Sequence, residues 1–181
     1  NGCSIDQVAF CKTIWIQDDI HLKNTNAANA TPDGSLFVGE SFLIDLAMTN
    51  YNYTGVINFV GDGGAIRTSN TTLINSRIKF RSQGMHWNME DGLTLDNPQH
   101  NRHGVLDLIS GTLHTNDHPL TIANAFISSG QQTRTLDLGT STVNMLCKGI
   151  DLNSSRTTPW FIPNSHRNID VIGQNSTIIF H

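Results

Sequence analysis

Apolar and polar residues alternate along the chain in short bursts. Apolar positions almost nowhere recur at the three- and four-residue spacing of a helix. A period of two puts successive side chains on opposite faces of a strand. It predicts strands at Thr13–Ile16, Ile20–Leu22, Gly55–Phe59, Arg77–Phe80, Met85–Met89 and Leu93–Leu95. Further strands follow at Val105–Leu108, Thr112–His114, Leu120–Ile122, Arg134–Leu138, Thr142–Leu146, Ile150–Leu152, Asp170–Ile172 and Thr177–Phe180. Gly39–Met48 is ambiguous between strand and helix, with Gly39 and Ser41 poor choices for a helix interior.

Gly, Asn, Asp and Ser stand between the bursts, as in Gly61-Asp62-Gly63-Gly64 and Ser128-Ser129-Gly130, and these residues suit sharp corners. Asn-Gly and Asp-Gly, the strongest hairpin dipeptides, occur only at Asn1-Gly2, Asp33-Gly34, Asp62-Gly63 and Asp91-Gly92. Many short strands with few hairpin signals predict a solenoid, in which each turn stacks on the next. An apolar–Asp–apolar element recurs at Ile44-Asp45-Leu46, Leu106-Asp107-Leu108, Leu136-Asp137-Leu138, Ile150-Asp151-Leu152 and Ile169-Asp170-Val171. On a strand its flanking residues point inward and its Asp outward. Its uneven spacing predicts loops of unequal length, above all Asn97–His103 and Ser154–Asn168.

Composition strengthens this reading. Charged residues make up 14% of the 181 residues and apolar ones 38%. Both values lie below those of ordinary domains, and Asn, Thr, Ser and Gly fill the gap. A net charge of −4 with no basic stripe predicts no nucleic-acid partner, and no apolar run is long enough to span a membrane as a helix. The start at Asn1-Gly2-Cys3 has no signal-peptide pattern, so the 181 residues are expected to be one solenoid domain of a mature chain or a segment of a longer one. Cys3 and Cys11 lie close enough in sequence to form a disulfide staple, and Cys147, in a strand-like run, is expected to be buried and inert.

The stretch Val105-Leu-Asp-Leu-Ile-Ser-Gly-Thr-Leu-His-Thr-Asn116, with Leu120-Thr-Ile122, Phe126-Ile-Ser-Ser-Gly130 and Thr133-Arg-Thr-Leu-Asp-Leu-Gly-Thr-Ser-Thr-Val143, resembles the β-helical repeats of large secreted and surface proteins of Bacteroidetes. Those proteins are similar to adhesins exported by the type IX secretion system, gliding-motility adhesins among them. The resemblance covers about a fifth of the chain and extends weakly upstream to about Met85. It implies an all-β, right-handed parallel β-helix with irregular loops, a secreted or cell-surface location, and contact with secretion machinery and adjoining domains of a longer chain. It brings no catalytic residues.

Candidate chemistry is sparse. If Asp107, Asp137 and Asp151 shared one corner of successive turns, their carboxylates would repel unless a cation such as Ca²⁺ lay between them. The plainer expectation is that they occupy different faces in water, with no cofactor. His100, His103, His114 and His118 have spacings that zinc ligands use, but no His-Glu-x-x-His motif is present, so ordinary surface histidines are expected and no metal. In Met85-His86-Trp87-Asn88-Met89, alternation turns Trp87 to the core, whereas in Thr13-Ile14-Trp15-Ile16 it leaves Trp15 outside. Trp160-Phe161 lies between Pro159 and Pro163, where a stiff loop either presents aromatics to a sugar or caps the solenoid. Trp160, Phe161 and Trp15 are therefore the candidate ligand-binding residues.

Two functions fit these features. One is a non-catalytic adhesin module, a stalk or a recognition segment for surface polysaccharide. The other is a polysaccharide lyase or glycosidase, for which Arg77, Lys79 and Arg81 alternate along one strand and share a face. Paired acids such as Asp18, Asp19, Glu90 and Asp91 are present, but no pattern joins two of them into a glycosidase site.

Overall fold

A computed structural model describes residues 2–4, 9–16, 21–23, 35–46, 53, 55–74, 76–96, 104–148, 159–162 and 168–181. These residues contain strands and no helix. The strands are β1 (Gly2–Ser4), β2 (Ala9–Ile16), β3 (His21–Lys23), β4 (Leu36–Ile44), β5 (Val56–Phe59), β6 (Gly63–Arg67), β7 (Thr72–Ile74), β8 (Arg77–Met89) and β9 (Leu93–Asp96). Then come β10 (Val105–His114), β11 (Leu120–Ile122), β12 (Ala125–Ile127), β13 (Arg134–Gly139), β14 (Thr142–Met145), β15 (Trp160–Phe161), β16 (Ile169–Gly173) and β17 (Thr177–Phe180).

Each described pairing between these strands is parallel, an arrangement compatible with a β-solenoid. One ten-stranded sheet carries two columns of strands. The first runs β4, β5, β8, β10, β12, β15, and the second uses β6, β13, β16 and the later halves of β4, β8 and β10. A five-stranded sheet of β7, β9, β11, β14 and β17 forms a third column. Register partners in the first column run Leu36, Ile57, Ile78, Leu106, Phe126 and Trp160, so the chain returns to the same place after 21, 21, 28, 20 and 34 residues.

Alternation explains the core. Leu36, Val38, Phe42 and Ile44 of β4 are buried while the residues between them are not, and β13 and β14 alternate in the same way. Stacked columns bring like residues together: Leu73 faces Leu95, and Leu93 faces Leu120, which faces Val143. Phe59 lies at the centre, stacked on Phe80 with ring centroids 4.9 Å apart and 4.7 Å from Trp87. Trp87 is fully buried as expected, and its Nε1–H donates to the Ser82 hydroxyl. Each such large apolar side chain contributes roughly 1.5–3 kcal/mol by leaving water.

The predicted breaks at 81–84 and 109–111 are bends inside the long strands β8 and β10, where Gly84 and Gly111 have positive φ. Gly63 and Gly64, expected in a corner, open β6. A Cβ on Gly64 would collide with the Glu40 carbonyl of the preceding turn, so only glycine fits that close approach. The ambiguous segment Gly39–Met48 is strand as far as Ile44. The expected strand Ile150–Leu152, with Asp151, lies outside the described residues, as does Asn97–His103.

The apolar–Asp–apolar element orients as expected at Leu106-Asp107-Leu108 and Leu136-Asp137-Leu138, whose leucines are buried. It fails at Ile44-Asp45-Leu46, because β4 ends at Ile44 and Leu46 is left exposed. It also fails at Val171, which is exposed on β16.

Candidate functional site

The expected outward tryptophan is outward. Trp15 is 59% exposed on β2, where its cross-strand neighbour is Leu43 and, one strand further, Arg67. Its Nε1–H donates to Asp45 Oδ2 at 2.6 Å, which anchors one edge of the indole and leaves the rest of the ring accessible. Asp45 stands just past the end of β4, and its other oxygen accepts from Arg67 Nη2. Arg67 reaches on to Glu90, Nη1 to Oε2, at 3.2 Å. Trp15, Asp45, Arg67 and Glu90 thus form a strip across four successive passes of the chain, with an aromatic plate at one end and alternating charge along it. Phe10, also on β2, is 75% exposed and stacks on Phe37 with centroids 4.5 Å apart.

Trp160 and Phe161 are not presented by a loop. They form β15, which pairs with β12 so that Trp160 lies opposite Phe126 and Phe161 opposite Ile127. Both are half-buried, and the Trp160 ring lies 4.4 Å from that of Phe126. Trp160 thus packs on the aromatic ring of the neighbouring strand. Pro163 lies outside the described residues.

Cys11 is a free thiol; it donates to the Phe37 carbonyl at 3.3 Å, and burial pushes its pKa up. Cys3 belongs to β1, with its side chain outside the described residues, and so is the staple as a pair. Cys147 is a free, half-buried thiol on a left-handed backbone, φ 53°.

The basic face of β8 is more committed than its sequence implies. Arg77, Lys79 and Arg81 do alternate with buried Ile78, Phe80 and Ser82. Arg77 Nη2, however, is bound to Asp107 Oδ2 at 3.1 Å, and Asp107 is buried rather than solvated. Its Oδ1 accepts from the Ser129 hydroxyl at 2.9 Å. Arg134, also fully buried, donates to the Ser128 hydroxyl and to the carbonyls of Gly130 and Gln132. Desolvation lowers the Arg134 pKa, and the charge of Asp107 opposes that shift. Glu90 is held by Arg67, and Asp91 accepts from the backbone N–H groups of Thr68 and Ser69, so neither acid stands free; Asp18 and Asp19 lie outside the described residues.

Asp107 and Asp137 do not stack. Asp107 pairs in register with Ile127 in the first column, and Asp137 with His114 in the second, so these two carboxylates form no ladder and occupy different places, as the plainer expectation has it. A different ladder occupies the outer face of the second column. His114 Nδ1 lies 3.0 Å from Asp137 Oδ2, and His114 Nε2 lies 2.9 Å from His86 Nδ1. The two imidazoles are nearly parallel, with centroids 5.2 Å apart. His86 and His114 are 28 residues apart, a spacing no short motif captures, and only the period of the coil brings them together. His118 follows in the next turn, where its backbone N–H bonds Thr115, and His100 and His103 lie outside the described residues.

No helix among the described residues is long and apolar enough to cross a membrane. No protein-family model matches this chain, and no curated protein or solved structure matches it.

Proposed function

We propose that this chain is a right-handed parallel β-helix module of a secreted or cell-surface protein, and that it recognises saccharide without catalysing its turnover. The carrying observation is the strip headed by Trp15. An indole fixed by one hydrogen bond but exposed over most of its area offers a rigid apolar plate at little entropic cost. Beside it, Asp45, Arg67 and Glu90 provide acceptors and donors for the hydroxyls of a sugar whose C–H face lies on the ring. A strip that crosses successive turns suits an extended polymer better than a small molecule.

The same geometry favours binding over turnover. Arg77, the strongest candidate for neutralising a uronic acid, is already engaged by a buried carboxylate, and Asp91 is occupied as a cap. The resemblance of residues 105–143 to surface adhesin repeats supports an extracellular setting, with surface polysaccharide and adjoining domains as partners.

A glycan array probed with the intact chain tests this reading. Binding that falls roughly tenfold or more in Trp15→Ala, and persists in Trp160→Ala, is the expected result. Binding that instead follows Trp160 would move the site to the other end. Depolymerisation of a uronic-acid polymer, lost on Lys79→Ala, would replace recognition with lyase activity.

A further inference from the structure

We propose that His86 and His114 form a binding site for a borderline divalent cation, Zn²⁺ or Cu²⁺, with Asp137 positioning His114 from behind. His114 lies between the two others. Its Nδ1 faces the Asp137 carboxylate at 3.0 Å, which fixes the proton on Nδ1 and leaves the Nε2 lone pair aimed outward along the sheet. That lone pair meets Nδ1 of His86 at 2.9 Å. A carboxylate on the remote nitrogen of an imidazole is the usual outer support of a metal-bound histidine, because it sets the tautomer and raises ligand basicity.

Without metal, His86 holds its proton on Nδ1 and donates it to His114. With metal, the proton moves through water to Nε2 of the same ring, and both facing lone pairs become ligands with no net proton change. Two nitrogens each about 2.0–2.1 Å from a tetrahedral ion stand about 3.3 Å apart with their lone pairs converging on it, so the rings need to separate by a few tenths of an ångström and turn toward a common point. His86 has room for this, being exposed on the outer face of β8.

The donor set decides the ion. Neutral imidazole suits Zn²⁺, Ni²⁺ and Cu²⁺, with Cu²⁺ bound most tightly, and is a poor partner for Ca²⁺. No group of three or more His, Cys, Asp or Glu side chains able to hold a metal occurs among the described residues. The site therefore supplies two ligands and keeps its remaining positions for water or for an oxygen of a bound molecule, unlike the closed four-ligand sites that hold small domains together.

Calorimetric titration of the full chain with ZnCl₂ and CuCl₂, with CaCl₂ as control, tests the proposal. One site per chain for Cu²⁺ and Zn²⁺ is expected, with no Ca²⁺ uptake at the same concentrations. His86→Gln and His114→Gln should each weaken it at least tenfold. Asp137→Asn should weaken it about ten- to a hundredfold without changing the stoichiometry. The Cu²⁺ spectrum should show two imidazole nitrogens in the wild type and one in His86→Gln. His86 is exposed, so that variant keeps its fold and decides the matter if His114→Gln does not. No Zn²⁺ or Cu²⁺ binding, or binding unchanged in His86→Gln, overturns the proposal.

Discussion

Among the guanidinium–carboxylate pairs that link successive turns in the described residues, two live in different solvents. Arg67 and Asp45 meet on the outer strip, with about a third of each side chain open to water. Arg77 and Asp107 meet where the carboxylate side chain is only 5% exposed. The first pair is screened, so its attraction is weak and its partners stay available to a ligand. In the second the carboxylate has lost its water, so Asp107 depends on Arg77 and on the Ser129 hydroxyl. Identical chemistry thus stands open to water in one place and ties neighbouring strands together in the other, and the burial of the carboxylate makes the difference.

The sharpest way to break this comparison is to remove each carboxylate in turn. Asp107→Ala leaves the Arg77 guanidinium, whose Nε is already buried without a partner, facing an empty acceptor site. The expected cost is about 3–5 kcal/mol in urea unfolding. Asp45→Ala should cost less than about 1 kcal/mol. Equal costs would mean that the two environments do not differ as described. The double variant Arg77→Met with Asp107→Leu sharpens the test: removing both charges from the buried site should recover most of the loss, because an apolar pair has no desolvation to offset.

The tryptophans extend the comparison to aromatic side chains. Trp160→Ala removes a half-buried ring from Phe126 and should cost about 2 kcal/mol, below the range for a fully buried aromatic. Trp15→Ala removes an exposed ring and should change stability by less than about 1 kcal/mol while removing saccharide binding. Chemical denaturation of both variants, read beside the glycan array, separates the packed ring from the ring proposed to bind saccharide.

How much of this was legible beforehand follows from the range over which each signal acts. Alternation is local, so most strands, the inward Trp87 and the outward Trp15 follow from runs of five residues. The same rule placed Asp107 outside correctly but took outside to mean solvated; its burial depends on Arg77, 30 residues away. The strand at Trp160-Phe161 is hidden in the sequence because prolines signal a loop, while the parallel edge of β12 pairs with it. The His86–His114–Asp137 ladder was invisible for a related reason. The return distances of 20 to 34 residues vary with loop length, so the sequence alone does not say which outward residues become neighbours.

The smallest expected effect concerns a carboxylate of a third kind, one that is exposed but bonded to backbone. Asp117 sits at φ 65° in the turn after β10, a left-handed conformation that Asp and Asn tolerate. Its Oδ1 accepts the Thr140 backbone N–H of the next turn at 2.7 Å. That bond, then the Thr140 hydroxyl and the charge of His118, holds the Asp117 pKa below the usual carboxylate range. A folded-state pKa below the unfolded value of about 3.9 means that the carboxylate's contribution is complete above about pH 4 and is lost as pH falls through the folded value. Asp117→Asn keeps the backbone conformation and an oxygen for Thr140 but removes the charge. Melting curves from pH 6 down to pH 2 should therefore place the wild type slightly above the variant at the neutral end, with the gap closing in acid. A gap that stays constant to pH 2 would show that Thr140 responds to the shape of residue 117 rather than its charge. Exposed carboxylates on this coil would then hold turns only when, like Asp107, they are also taken out of water.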